Sequence, residues 1–338
     1  MGISSEVIGT HCFPAQKLFI DNVQTCIYMH ADAVSWVCSR IKRNHRAKTS
    51  SFPMSFSFLF FLAFFLVSGA VAARATDPSF DTNYEITWGS DHVQSIDQGR
   101  EIQLSMDNSS GSGFVSKFSY GSGFFSLRLK LPENKDTAGT VTAFYLNSSH
   151  TDRHDEIDFE FLGHKQGMAY TLQTNVFANG QGNREQRFLL WFDPTTDFHN
   201  YKILWNQHQI VFFIDTVPIR VFKNKTNIGV NYPSQPMQIA ATLWNGENWA
   251  TDGGKAKIDW SQAPFKAHFL GFNVDGCISQ QNNTQPCYSS SYEWNSEKYW
   301  VLDSNQENTY ERVKREYMIY DYCSDRSRYQ TPPPECPQ

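Results

Sequence analysis

His154-Asp155-Glu156-Ile157-Asp158-Phe159-Glu160-Phe161-Leu162-Gly163 is the stretch on which the fold turns. Its centre alternates. Side chains of an extended strand point to opposite faces with period two, so Ile157, Phe159 and Phe161 share one face and Glu156, Asp158 and Glu160 the other. The apolar face belongs in a core. The acidic face has no structural reason to exist, because Asp and Glu are poor strand formers and like charges on neighbouring sites of one face repel. That repulsion disfavours a merely solvated acidic face. A Ca²⁺ site is disfavoured too, since one straight strand cannot easily wrap three carboxylates around one ion. His154 reads as a packing or hydrogen-bonding residue rather than a catalyst.

The spacing points to chemistry. Four strand steps put the Cα atoms of Glu156 and Glu160 about 13 Å apart. If the side chains lean together, their carboxyls come to roughly 5–6 Å, which suits the nucleophile and acid/base of a retaining glycosidase and is too little for an inverting pair with water between. Asp158 lies between them. Its charge is expected to raise the pKa of the later-protonating Glu, so that one carboxyl stays an acid while the other stays ionised.

This stretch resembles the signature of the plant xyloglucan endotransglucosylase/hydrolases within glycoside hydrolase family 16, and other matching segments run from about residue 80 to the C-terminus. The resemblance implies a concanavalin-like β-jelly-roll sandwich with a glycan-binding cleft. It also implies a retaining transfer from Glu156 with Glu160 as acid/base, xyloglucan and oligosaccharide acceptors as partners, and no metal or organic cofactor. A monomer is expected.

The residues read independently agree on the fold class. Between Phe80 and about Phe265 the pattern is short strands punctuated by Gly, Asn, Asp and Pro, among them Phe124-Phe125-Ser126-Leu127-Arg128-Leu129-Lys130-Leu131 and Gln209-Ile210-Val211-Phe212-Phe213-Ile214. Long amphipathic helices are absent. An all-β sandwich or jelly roll follows, without its topology. The chain of 338 residues has room for one such domain plus extensions, and its net charge of −5 argues against a nucleic-acid binder. Aromatics at 15% fit a sugar binder as well as a β core.

The ends differ from this body. Phe58 to Val67 is an apolar run followed by Ser68-Gly69-Ala70-Val71-Ala72-Ala73, which reads as a signal peptide over 54–73, too short for a membrane span. Residues 1–53 carry Cys12, Cys26, Cys38 and a basic patch but no motif. Met54 directly before the apolar run makes them an expected gene-model extension. The expected location is therefore secreted, in the apoplast or cell wall, without lasting membrane association. The catalytic jelly roll is expected over 74–268 and a C-terminal extension over 269–338.

That extension holds Cys277, Cys287, Cys323 and Cys336, which imply two disulfides with three possible connectivities. Short loops favour Cys277–Cys287 and Cys323–Cys336, and the family pattern implies the same. One short helix is expected from Asn305 to about Met318, capped by Asp303 or Ser304.

Substrate contacts are expected from three further segments and one residue. Leu172-Gln173-Thr174-Asn175-Val176 puts Gln173 and Asn175 on one strand face as amides for sugar hydroxyls, and the resemblance adds Thr174. Gly182-Asn183-Arg184-Glu185 contributes Asn183, Arg184 and Glu185. In Trp244-Asn245-Gly246-Glu247-Asn248-Trp249-Ala250-Thr251-Asp252-Gly253-Gly254 the resemblance places Asn248, Trp249 and Gly253 at the cleft, with Trp249 as a stacking platform. Arg328 matches a substrate-binding Arg of the family. Family members often have Asp where this chain has Asn248 and Arg where it has Asp252. Sequons stand at Asn108, Asn147, Asn224 and Asn282. Asn147 follows a strand expected to reach the cleft, where closeness to substrate is expected to work against a glycan. His164 stands where the family usually has a further sequon.

Two other functions deserve comparison: a β-glucan endohydrolase that gives the intermediate mainly to water, and a non-catalytic lectin-like module. A lectin has no need of three aligned carboxylates, so the intact set argues against the second.

Overall fold

The computed structural model describes residues 77–148 and 152–336. The expected signal peptide, the segment before it and Cys12, Cys26 and Cys38 lie outside the described residues.

Two antiparallel sheets of eight strands make the body. The first runs from edge to edge as β1 (Tyr84–Trp88), β4 (Ser112–Ser116), β13 (Gln238–Asn245), β6 (Thr140–Asn147), β7 (Glu156–Leu162), β8 (Thr171–Phe177), β9 (Gln186–Leu189) and β16 (Met318–Asp321). The second runs as β12 (Val217–Lys223), β11 (Gln209–Ile214), β10 (His199–Trp205), β5 (Tyr120–Lys130), β14 (Phe265–Leu270), β3 (Glu101–Met106) and β2 (Val93–Ile96), with β15 (Gly276–Ile278) also paired to β5. Strands distant in sequence lie side by side, as β13 does between β4 and β6. That is the crossover pattern of a jelly roll, and it answers the expectation of an all-β sandwich.

The core sits between the sheets and is built from alternate residues of each strand. Ile157, Phe159 and Phe161 are fully buried. Phe159 meets Tyr201 of β10 and Phe212 of β11 edge-on, with ring centroids 5.7 and 5.1 Å away, and Phe161 meets Tyr201 at 4.7 Å. The apolar face of β7 therefore points at the second sheet, and its carboxylates stand on the outer face of the first.

The C-terminal segment is not a separate body. The expected division at 268 falls inside β14, which ends at Leu270. Beyond it β15 pairs with β5, and β16 prolongs the first sheet by pairing with β9. The disulfides are Cys277–Cys287 and Cys323–Cys336. Two short α-helices complete the described body, α1 (Phe80–Asn83) and α2 (Ser304–Tyr317). Asp303 caps α2: its side chain accepts from the backbone of Asn305 and Gln306, while the Gln306 side chain accepts from the backbone N–H of Asp303. Val313 anchors α2 in the core.

Candidate active site

The residues around the carboxylates explain the rest of the opening motif. Asp155 is buried and acts as a hub, accepting backbone N–H groups of Asn179 at 2.7 Å, Ser234 at 2.7 Å and Gln235 at 2.9 Å. It ties two loops, the turn after β8 and the segment before β13, to the start of β7. The ring of His154 packs on Phe177 at 5.0 Å. At the other end a side chain on Gly163 would come within 1.8 Å of the Thr137 carbonyl, so only glycine lets the chain leave the strand there.

Strand pairing sets the neighbours of each carboxylate. Glu156 lies between Asn147 of β6 and Phe177 of β8, Asp158 between Tyr145 and Asn175, and Glu160 between Ala143 and Gln173. Partnered residues share a face. Asn147 donates through Nδ2 to Glu156 Oε2. Gln173 donates to Glu160 Oε2 at 2.7 Å, and its own Oε1 accepts from Arg187 Nε at 2.7 Å. The Arg187 guanidinium lies over the Tyr320 ring of β16 at 5.4 Å. A relay thus runs from the C-terminal strand to Glu160.

The electrostatics divide the three acids. Burial first, then the charge of Glu156, pushes Glu160 up to about 7, against the opposing pull of Gln173 and Arg187. Asp158 is only 5% exposed, although it stands on the outer face of the sheet. Burial, the charges of Glu156 and Glu160 and a hydrogen bond to Glu156 raise it well above the carboxylate range. That shift favours its neutral form, hydrogen-bonded to Glu156. This differs from the sequence-based expectation, which gave Asp158 a charge acting on its neighbour. The pressure on Glu160 comes from burial, Glu156 and Glu185 instead. The difference arises because the packing of β6 and β8 against β7 removes water, which spacing along one strand cannot reveal.

The other expected contacts occupy three places. Gln173 and Asn175 stand on the carboxylate face of β8, where Asn175 Oδ1 also accepts the backbone N–H of Arg184 at 3.0 Å. Thr174 faces the opposite way, fully buried, and accepts from Arg220 Nη1 at 2.9 Å. Next, Arg184 is buried and paired with Glu335 at 2.7 Å, with its cation over Phe222 at 5.5 Å. Its guanidinium pins the C-terminal tail to the body. Glu185 receives Arg328 Nη1, Arg328 lies over Tyr320, and the backbone carbonyl of the exposed Asn183 accepts from Tyr329 Oη at 3.0 Å. This group lies beside β9 and β16. Finally, half-buried Trp249 packs against Trp244, Val141 and Leu162 at the Leu162 end of β7, and exposed Asn248 accepts from Lys257 Nζ at 3.3 Å. Gly253 is exposed with φ +64 and nothing near its missing side chain.

Of the sequons, Asn108 and Asn282 are exposed and Asn224 half-buried. In Asn147 the amide nitrogen that would carry a glycan donates to Glu156. Arg187, Tyr320, Asn147 as a partner of Glu156, and Arg220 did not stand out in the sequence. Their only signal is the antiparallel register, which composition does not encode.

The family model described as "Glycosyl hydrolases family 16" matches residues 80–262, and "Xyloglucan endo-transglycosylase (XET) C-terminus" matches 288–336. Xyloglucan endotransglucosylase/hydrolase protein 2 of Arabidopsis thaliana is 61% identical over 259 residues, 76% of this chain and 88% of that protein. The chain belongs to the xyloglucan endotransglucosylase/hydrolases of glycosyl hydrolase family 16. As a member of this plant cell-wall family it is an enzyme of the glycoside hydrolase and transferase type. Xyloglucan endotransglucosylase/hydrolase protein 3 of the same plant is 55% identical over 260 residues, again 76% of this chain and 88% of that protein. Among solved structures, the Bacillus licheniformis beta-glucanase matches with a TM-score of 0.47 and 24% identity over 58% of this chain and 92% of that one.

Proposed function

We propose that this endotransglucosylase/hydrolase cleaves the β-1,4-glucan backbone of xyloglucan with retention and passes the glycosyl group to another xyloglucan chain. The observation that supports this best is the division of labour among three acids on one strand: Glu156 held by Asn147 and hydrogen-bonded to Asp158, whose burial favours its neutral form, and Glu160 pushed up to about 7. Glu156 attacks the anomeric carbon as Glu160 gives its proton to the departing sugar oxygen. The glycosyl-enzyme bond neutralises Glu156, which removes one source of upward pressure on Glu160. Glu160 is then ionised and takes a proton from the incoming hydroxyl. Gln173 and Arg187 hold the carboxyl of Glu160 in place. The apolar run and small residues of 54–73, with two disulfides in the body, support a secreted enzyme of the apoplast. Asn108, Asn224 and Asn282 remain as glycan positions.

Incubation with xyloglucan and a labelled xyloglucan oligosaccharide tests this reading. Label is expected in polymer. Shortened chains without incorporated label would mean a β-glucan endohydrolase, and no change in either would mean a lectin-like module.

The pKa of Glu160 gives a second test. An acid pushed up to about 7 keeps its proton below that pH and loses it above, so kcat/KM is expected to fall as pH rises through about 7. The same shift acts on stability. The proton on Glu160 contributes stability that is fully present below its ordinary 4.5 and is lost as pH rises through about 7. Asp158→Asn replaces a neutral donor with another neutral donor. It is expected to lower the rate and leave this alkaline limb where it is. Movement of the limb in the pH profile would restore to Asp158 the role of a charge.

A further inference from the structure

One row of partnered positions crosses the first sheet from Glu160 toward its far edge: Glu160 to Ala143, Ala143 to Thr242, Thr242 to Gly113, and Gly113 to Trp88. Partners in an antiparallel sheet point to the same face, so all of these stand on the carboxylate face. The middle of the row is small and leaves the surface low. The row ends in an indole that is 39% exposed.

Two features show that the position of Trp88 is built. The first is a bulge in β1. Ile86 pairs with Phe114, and the register then shifts so that Trp88, and not Thr87, is opposite Gly113. Without that extra residue Trp88 would turn to the other face, and re-aiming a side chain is a known use of bulges. The second is a glycine floor. A side-chain carbon on Gly113 would come within 2.5 Å of Trp88 Nε1, and one on Gly111 within 3.0 Å of Trp88 Cη2. The ring therefore rests on bare backbone. Exposed Glu85, opposite Val115 on the same face, offers an acceptor for hydroxyls next to it.

We infer that Trp88 is a stacking platform for a sugar unit of the glucan chain remote from the bond being cut, on the side of Glu160 opposite the C-terminal segment. Four strand spacings separate it from β7, about 19 Å, which is several backbone units. A pyranose presents an apolar C–H face, and a fixed, half-exposed indole is the side chain that covers such a face with little loss of rotamer freedom. The inference rests on reading Glu156 and Glu160 as the cleavage site, from which the row is counted.

The test compares wild type, Trp88→Ala and Trp88→Phe on xyloglucan oligosaccharides of increasing backbone length. Trp88→Ala is expected to lower kcat/KM about three- to tenfold on chains long enough to reach position 88, through KM. The shortest cleavable oligosaccharide should be handled as by wild type, and Trp88→Phe should recover most of the loss. Equal loss on short and long chains would make Trp88 a support of the edge strand and overturn the inference, as would no loss on any chain. Titration of the Glu156→Ala protein with the same oligosaccharides, with and without Trp88→Ala, reads the contact without turnover. Length-dependent weakening there upholds Trp88, and its absence sinks it. Activity surviving in Glu156→Ala would instead overturn the cleavage site.

Discussion

Glu156→Ala is expected to abolish both transfer and hydrolysis, by about 10⁴-fold or more, because no glycosyl-enzyme can form without the nucleophile. Glu160→Ala should behave differently. It keeps Glu156 and its hydrogen bonds to Asn147 and Asp158 but removes the proton for the leaving sugar. Natural xyloglucan should then be cut about 10²–10⁴-fold more slowly. An activated aryl glycoside, whose leaving group needs no proton, should still react, and the glycosyl-enzyme should accumulate because the base that activates the acceptor is gone. Mass spectrometry of the Glu160→Ala protein with such a substrate is the deciding measurement. A sugar on Glu156 is the expected result. A sugar on Glu160 in the Glu156→Ala protein would reverse the roles, and product of inverted configuration would remove the two-step mechanism.

Arg220→Leu is expected to be the most destabilising single change near the site. Arg220 leaves β12 of the second sheet, crosses the interior and is 1% exposed. It donates to the Thr174 carbonyl at 2.7 Å, to Thr174 Oγ1 at 2.9 Å and to the Arg184 carbonyl at 2.6 Å. Its charge lies between the rings of Phe212 and Tyr322, at 5.5 and 5.9 Å. The fork thereby fastens β8 from beneath, between Gln173 and Asn175, and ties the C-terminal segment to the same point. Leucine would take from the Thr174 and Arg184 carbonyls and the Thr174 hydroxyl the buried donors that Arg220 supplies, at a cost of about 3–5 kcal/mol. That is a large part of the stability of an ordinary domain. Because Gln173 holds Glu160, kcat should fall even where the variant stays folded. Arg220→Lys keeps the charge but not the planar fork and should recover only part. Denaturant unfolding and kcat measured together check this: a Leu variant as stable and as fast as wild type would show that Arg220 is filler.

How much of this was legible in the chain depends on the range of the interaction. Alternation along one strand is local, and so Glu156, Asp158 and Glu160 could be separated from Ile157, Phe159 and Phe161 without any partner strand. The helix behind Asp303 was readable for the same reason, since its cap lies within three residues. Cysteine spacing favoured the two short-loop bridges that the structure contains.

What the chain could not supply is what crosses between strands. Thr174 follows Gln173 directly, but the pleat turns it inward to Arg220. Arg184 sits in a turn that looks like surface until the tail brings Glu335 onto it. Asp158 looks like a charge until its neighbours Tyr145 on β6 and Asn175 on β8 flank it and burial favours its neutral form. Trp88 reaches the carboxylate face only because a bulge shifts the register of β1. By itself the sequence determined which residues carry charge, which alternate and which can bridge. Which of them meet was decided only by the tertiary structure, because pairing register and exclusion of water depend on strands far apart in the chain.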